Sequence, residues 1–98
     1  MLLNDKANRE RIVAGLMSGT SVDAIDVAIT LIAPCGGDIN VNVLGYTEAP
    51  WSAADRDAIL RVSTECVTAQ EIALVDRMVG ERFCNALLDA TTPLGIKL

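Results

Sequence analysis

Ala24-Ile25-Asp26-Val27-Ala28-Ile29-Thr30-Leu31-Ile32 is the stretch on which the fold turns. Side chains alternate across a β-strand with a period of two. Ile25, Val27, Ile29 and Leu31 therefore make one strongly apolar face, and Ala24, Asp26, Ala28 and Thr30 a small or polar one. Upstream, Arg11-Ile12-Val13-Ala14-Gly15-Leu16-Met17 is apolar nearly throughout, the pattern of a strand covered on both faces. Small polar residues, Ser18-Gly19-Thr20-Ser21, join the two strands as a loop. Downstream, Pro34-Cys35-Gly36-Gly37-Asp38 reads as a turn. A third strand follows over 39–47, with Ile39, Val41 and Val43 on one face and Asn40 and Asn42 on the other. The connections are too short for helical crossovers, so the strands are expected to form an antiparallel meander.

After Pro50-Trp51 the period changes to that of a helix. Ser52, with Asp55 three residues on, is an N-cap with an acidic first turn, opening a short helix to about residue 63. Thr68-Ala69-Gln70-Glu71 is a T-x-x-E capping box, with Val67 and Ile72 at the staple positions. The helix it opens carries Ile72, Val75, Val79, Phe83, Ala86 and Leu87 on one stripe and Arg77, Glu81 and Asn85 on the other side. The final Thr92-Pro93-Leu94-Gly95-Ile96-Lys97-Leu98 reads as a break followed by the lead-in to another strand. Residues 1–10 are polar and charged and read as a leader.

Composition narrows the function. Eight Lys and Arg against thirteen Asp and Glu give the 98-residue chain a net charge of −5, with no basic run. Neutralising nucleic-acid phosphates or an anionic membrane surface needs clustered cations, so both partners are excluded. With no His in the chain, the commonest general base and metal ligand is missing. The mean hydropathy of +0.37 is high, yet the longest apolar stretch, 24–35, contains Asp26, Thr30 and Pro34 and falls short of the ~18 residues a membrane span requires. The apolar excess is therefore surface meant to be covered. Cys35, Cys66 and Cys84 are widely spaced without a C-x-x-C, which reads as reduced, buried thiols in a cytoplasmic protein.

The loop between the first two strands carries the chemistry. A small-residue loop exposes backbone N–H groups, Gly19 permits close approach and positive φ, and Ser18, Thr20 and Ser21 add hydroxyls. Concave amides and hydroxyls suit phosphate oxygens. Asp23 and Asp26 lie just beyond. Carboxylates beside a phosphate repel it unless a divalent cation lies between, and Mg²⁺, bound through carboxylates, waters and phosphate oxygens, fits that place, with Asp23 the candidate metal contact. The same composition also serves an ordinary hairpin, with Asp23 capping the turn. Neither G-x-x-x-x-G-K-[ST] nor G-x-G-x-x-G occurs. A Ser nucleophile lacks both the closing Gly of a G-x-S-x-G elbow and a His to activate it.

Gly15-Leu16-Met17-Ser18-Gly19-Thr20-Ser21-Val22-Asp23-Ala24-Ile25-Asp26 resembles the N-terminal signature of anhydro-N-acetylmuramic acid kinases, G-[LV]-M-S-G-T-S-x-D-G-[IV]-D, and departs from it only at Ala24. The helix over 74–88, with Gly80-Glu81-Arg82-Phe83, is similar to that family's G-R-x-F-A-type helix. The resemblance covers nearly all of this chain but only about the first quarter of a family member. It implies an α/β protein of the actin/hexokinase/Hsp70-like ATPase superfamily with a ribonuclease-H-like core. Within these residues it implies an α+β piece: a three-strand meander followed by two helices, residues 11–98 forming an incomplete N-terminal subdomain of a two-domain sugar kinase.

The implied reaction uses ATP and water to open the 1,6-anhydro ring of anhydro-N-acetylmuramic acid and phosphorylate O6, a step of cell-wall amino-sugar recycling. Carried over by position, the ATP segment is Gly19, Thr20, Ser21, Val22, Asp23, Ala24, Ile25 and Asp26. ATP, Mg²⁺ and the anhydro sugar are the implied ligands, with a homodimer of the full-length protein left open. Ala24 stands where the family has Gly; a positive φ there would cost on the order of 1 kcal/mol. The family's catalytic Asp belongs to a G-x-D-T-G-P-G-type segment that this sequence does not contain, so no catalytic residue is assigned and the isolated piece is expected to be inactive. The alternatives are another sugar or acid kinase of the superfamily, or a non-catalytic module pairing through its sheet or the helix at 68–90.

Overall fold

The computed structural model describes residues 9–98, so most of the leader expected over 1–10 falls outside the described residues. Strands β1 (Arg11–Met17), β2 (Ala24–Cys35) and β3 (Asp38–Pro50) are followed by helices α1 (Ala53–Thr64) and α2 (Ala69–Thr91) and a short 3₁₀ turn at Thr92–Leu94. The sheet order is β1-β2-β3 and both pairings are antiparallel, the α+β meander the spacing predicts.

β2 is central, and its alternation works as expected. Ile25, Val27 and Ile29 are at most 2% exposed and pack against Ala86 and Ala90 of α2. The two alanines leave room for the helix to lie close on the sheet. Ala14 and Leu16 of β1, Ala49, Trp51, Phe83, Leu87 and Ile96 complete this core. Burying each of the three β2 side chains stabilises the fold by about 1.5–3 kcal/mol.

Both hairpin strands run further than the turn residues suggested. Only Gly36 and Gly37 form the β2–β3 turn, at φ 56° and 89°, with Cys35 and Asp38 paired across it. A two-residue turn with both residues at positive φ matches the twist of the flanking strands, and glycine adopts it without a Cβ clash.

The faces of β3 are divided by a bulge. Pairing runs from Ile29–Gly45 to Thr30–Val43, leaving Leu44 as the extra residue. Directly opposed residues share a face. Gly45, Thr47 and Ala49 therefore lie on the helix-covered side, while Val43, Val41 and Ile39, opposite Thr30, Ile32 and Pro34, lie on the other. Without the bulge one strict alternation would have put all six on a single side.

The helix-free face is apolar and uncovered: Val13, Met17, Ile39, Val41, Val43 and Tyr46 are all exposed. β1 is thus covered on one face only, not on both. Part of the hydropathy excess lies here.

The helix caps form as the sequence predicts. Ser52 Oγ accepts from the Asp55 amide and Thr68 Oγ1 from the Glu71 amide, both at 3.1 Å. The carboxylate of Glu71 lies 3.2 Å from the Arg61 guanidinium, tying the two helices together. Ile72 departs from the expected core stripe and is 51% exposed, because it precedes the part of α2 that lies on the sheet. The three cysteines expected to be buried are all exposed: Cys35 beside the hairpin turn, Cys66 between the helices, and Cys84 on the outer side of α2. The tail after α2 is not extended. Pro93 sits in the 3₁₀ turn, the Gly95 amide donates to Thr92 O, and the Ile96 amide returns to Thr91 O at 3.2 Å, bringing Ile96 onto the core.

Candidate functional site

Residues 18–23 join β1 to β2 at the end of the sheet where α1 begins. The Val22 amide donates to Gly19 O at 3.0 Å, closing a four-residue turn. Val22 takes φ 53°, the only non-glycine at positive φ among the described residues. For a β-branched residue this left-handed backbone costs about 1–2 kcal/mol. Tertiary packing holds it there. The side chain is 8% exposed and lines an apolar recess with Trp51, Ile59, Val79 and Phe83.

Two residues beyond β3 pin the loop from behind. The Trp51 amide donates to Asp23 O at 3.1 Å, and its indole Nε1 donates to Ser18 Oγ at 3.0 Å. From α1, Arg56 donates through Nε and Nη2 to Ser21 O at 3.3 and 3.1 Å. The carbonyls of Gly19, Ser21 and Asp23 are thereby engaged by the chain itself. Among the described residues, no acceptor takes the amides of Gly19, Thr20 and Ser21 or the hydroxyls of Thr20 and Ser21, and all three residues are exposed. Three consecutive exposed residues are thus left with amides that take no acceptor among the described residues, the kind of donor run that an anion-binding nest presents.

On the helix-free side of this loop lies a hollow of about 230 Å³, lined by Met17, Gly19, Ser21, Asp23, Asp26 and Glu48, among others. Asp26 sits between Met17 and Glu48 in the strand register, which brings its carboxylate and that of Glu48 to one face. The Tyr46 hydroxyl donates to Glu48 Oε1 at 3.4 Å. Hydrogen bonding to Asp26 foremost, then desolvation and the charges of Asp26 and Glu48, raises the Tyr46 phenol above its ordinary pKa. Asp55 of α1 pairs with Arg82 of α2 at 2.7 Å, and that guanidinium lowers the carboxyl's pKa.

The eight residues expected to form the nucleotide segment fall into distinct places. Gly19, Thr20, Ser21 and Asp23 are exposed on the loop. Val22 lies beneath it, and Ile25 belongs to the core at 2% exposure, so neither side chain faces outward. Ala24 begins β2 opposite Pro50 at an ordinary φ, so the substitution of Ala for Gly carries no backbone strain. Asp26 faces the hollow, half-buried. Gly19 itself is at an ordinary φ, and a Cβ built on it would meet nothing within 4 Å, so the left-handed position of the loop is Val22 instead. Trp51, Arg56, Tyr46 and Glu48 were not anticipated as parts of the site. Pro50-Trp51 marked the end of β3, but nothing in the spacing connects Arg56 to a loop 35 residues earlier.

The donor set suits a hard cation only in part. Asp23, Asp26 and Glu48 are oxygen ligands of the kind Mg²⁺ takes. Among the described residues no three His, Cys, Asp or Glu side chains are grouped so as to hold a metal by themselves. A cation here would need phosphate oxygens and waters to complete its shell, which is how Mg²⁺ is usually bound. No helix among the described residues is long and apolar enough to cross a membrane.

Comparison with known proteins finds sequence relatives. The chain is 31% identical over 96 residues to the anhydro-N-acetylmuramic acid kinase of Caldanaerobacter subterraneus, covering 97% of this chain and 24% of that protein. It is 39% identical over 75 residues to the enzyme of that name from a Picosynechococcus species, and 35% over 78 residues to one from a Cyanothece species, covering 76% and 79% of this chain and 20% of each relative. The chain thus spans about a fifth to a quarter of the length of the curated relatives it matches. No family-level sequence model matches it, and no solved structure does.

Proposed function

This chain belongs, over the span it covers, to the anhydro-N-acetylmuramic acid kinase family, and on that premise we propose that residues 19–26 form an ATP phosphate-binding segment. The reaction proposed for the whole protein is ATP-dependent phosphorylation of 1,6-anhydro-N-acetylmuramic acid with hydrolytic ring opening, giving N-acetylmuramic acid 6-phosphate in the cytoplasm. Residues 11–98 are read as part of the N-terminal subdomain of a two-domain kinase with a ribonuclease-H-like core. Phosphoryl transfer depends on positioning and on electrostatic stabilisation more than on covalent chemistry by the protein, and a preset loop supplies positioning.

One observation carries this reading: the carbonyls of Gly19, Ser21 and Asp23 are tied back by Val22, Arg56 and Trp51, while the amides of Gly19, Thr20 and Ser21, on exposed residues, take no acceptor among the described residues. In this reading those amides and the hydroxyls of Thr20 and Ser21 hold phosphate oxygens. Gly19 lets them approach the backbone, and Asp23 and Asp26 orient the waters of the cation. When bound, Mg²⁺ would neutralise the charge shared between phosphates and carboxylates. The buried side chains of Val22 and Ile25 anchor the segment and touch no ligand. The exposed apolar face of the sheet is read as surface that the remainder of such an enzyme covers; a non-catalytic module would pair through the same face.

Titration of the ¹⁵N-labelled 98-residue chain tests the proposal. MgATP is expected to shift the Gly19, Thr20 and Ser21 amides, weakly, because one phosphate loop supplies a fraction of the contacts, and adenosine is expected to leave them unmoved. Amides that ignore MgATP, or that answer adenosine equally, would refute it. No phosphorylation of the anhydro sugar by this chain alone is expected.

A further inference from the structure

We infer that Arg56 is a positioning residue for the phosphate loop, an assignment that rests on the reading of that loop given above. One peptide unit, that between Ser21 and Val22, is held from both sides. Ser21 C=O and Val22 N–H lie in the same peptide plane and point in opposite directions within it. The carbonyl accepts from Arg56 through two guanidinium nitrogens, and the N–H donates to Gly19 O. The plane is pinned at both ends, and its orientation sets the φ of Val22.

That φ is 53°, an unfavourable value for valine. Rotating the plane by half a turn would return Val22 to an ordinary φ and would break the bond to Gly19. It would also turn the Ser21 carbonyl away from Arg56 and leave it an unengaged acceptor on the exposed loop, where an oxygen dipole repels an anion. Backbone strain of this kind persists only where surrounding groups over-determine it. Arg56 is the charged member of those groups, and its planar fork grips one carbonyl from two nitrogens in a way that an ammonium cannot. Trp51 holds the neighbouring carbonyl of Asp23 but does not touch this plane. Arg56 therefore selects the orientation in which the Ser21 carbonyl is engaged within the chain and the amides of Gly19, Thr20 and Ser21 are left to a ligand, and it does so from the first turns of α1.

The test compares the 98-residue chain with its Arg56→Met and Arg56→Lys variants, labelled with ¹⁵N. One readout needs no ligand: the HN–Hα coupling and amide shift of Val22 report whether its φ is left-handed. The other is titration with inorganic tripolyphosphate and MgCl₂, followed at Gly19, Thr20 and Ser21. Arg56→Met is expected to move Val22 to couplings of ordinary φ and to weaken the tripolyphosphate response about tenfold, the scale of a lost charged hydrogen bond. Arg56→Lys keeps the charge and loses the fork, so it is expected to fall between the two; a Lys variant equal to wild type would show a field effect only and overturn positioning. Wild-type titration with an unchanged midpoint and unchanged Val22 coupling in Arg56→Met would overturn the role of Arg56 while leaving the phosphate reading intact. A wild-type loop silent to tripolyphosphate would overturn both. Met and Lys are good helix formers, and circular dichroism of each variant verifies that α1 is retained.

Discussion

Two glycines in equally open surroundings separate what the fold demands from what a ligand demands. A Cβ built on Gly19 or on Gly37 meets nothing within 4 Å, but Gly37 has φ 89° while Gly19 is at an ordinary φ. Alanine at an unstrained position stabilises by about 0.4–1 kcal/mol, by reducing the freedom of the unfolded chain. At positive φ the Cβ penalty of about 1–2 kcal/mol outweighs that gain. Gly19→Ala is therefore expected to leave stability unchanged or raise it by up to about 1 kcal/mol, and Gly37→Ala to lower it by about 1 kcal/mol. With a urea m-value of about 1–2 kcal/mol/M for a domain this small, the two midpoints should separate by about 0.5–2 M. The sole tryptophan, Trp51, supplies the fluorescence signal. The same Gly19→Ala chain should lose the MgATP response of the loop amides, since its new methyl group stands where phosphate oxygens would approach. A Gly19→Ala variant that is clearly destabilised would refute the reasoning, because glycine would then be serving the fold. A Gly19→Ala variant that is stable and still responds fully to MgATP would remove Gly19 from the binding surface.

Two further predictions concern ionisation. The Arg82 guanidinium holds the Asp55 carboxyl below its ordinary pKa, so the unfolded chain binds that proton more tightly than the folded one. The stability this contributes is complete above the unfolded value and disappears as pH falls through the depressed folded value. Thermal midpoints of wild type and Arg82→Met should therefore differ most above pH about 4 and converge in stronger acid; parallel curves down to the lowest pH would contradict this. Tyr46, the sole tyrosine, should ionise above pH 10.0 when its phenolate absorbance is followed, and Asp26→Asn should bring the midpoint back toward the ordinary value. An unchanged midpoint in Asp26→Asn would mean that the Asp26 carboxylate does not face the phenol in solution.

Period-two alternation, two N-caps and a Gly-Gly turn are local features, and the strand order, pairing sense and helix starts were legible from them because short connections leave one way to pair neighbouring strands. Ile25, Val27 and Ile29 identified the core face of β2 by pattern alone. The faces of β3 were not legible in the same way. Alternation says which residues share a face only while the ladder is regular, and the bulge at Leu44 moves Ile39, Val41 and Val43 to the side opposite Gly45, Thr47 and Ala49. The buried thiols expected at 35, 66 and 84 failed for a related reason: a cysteine's burial depends on where its element packs, and all three point outward.

The chemistry-bearing loop shows the same division. Its composition, small hydroxylated residues around Gly19 followed by Asp23 and Asp26, could be read from the chain, because the residue types that expose amides and oxygens are a local property. Its polarity was decided in three dimensions. Val22, rather than Gly19, takes the left-handed backbone, held by a recess that includes Phe83 and Val79 of α2 and by a guanidinium 35 residues away in sequence. Sequence determines which backbone groups are available; contacts between distant elements decide which of them are engaged within the chain and which are left for a ligand.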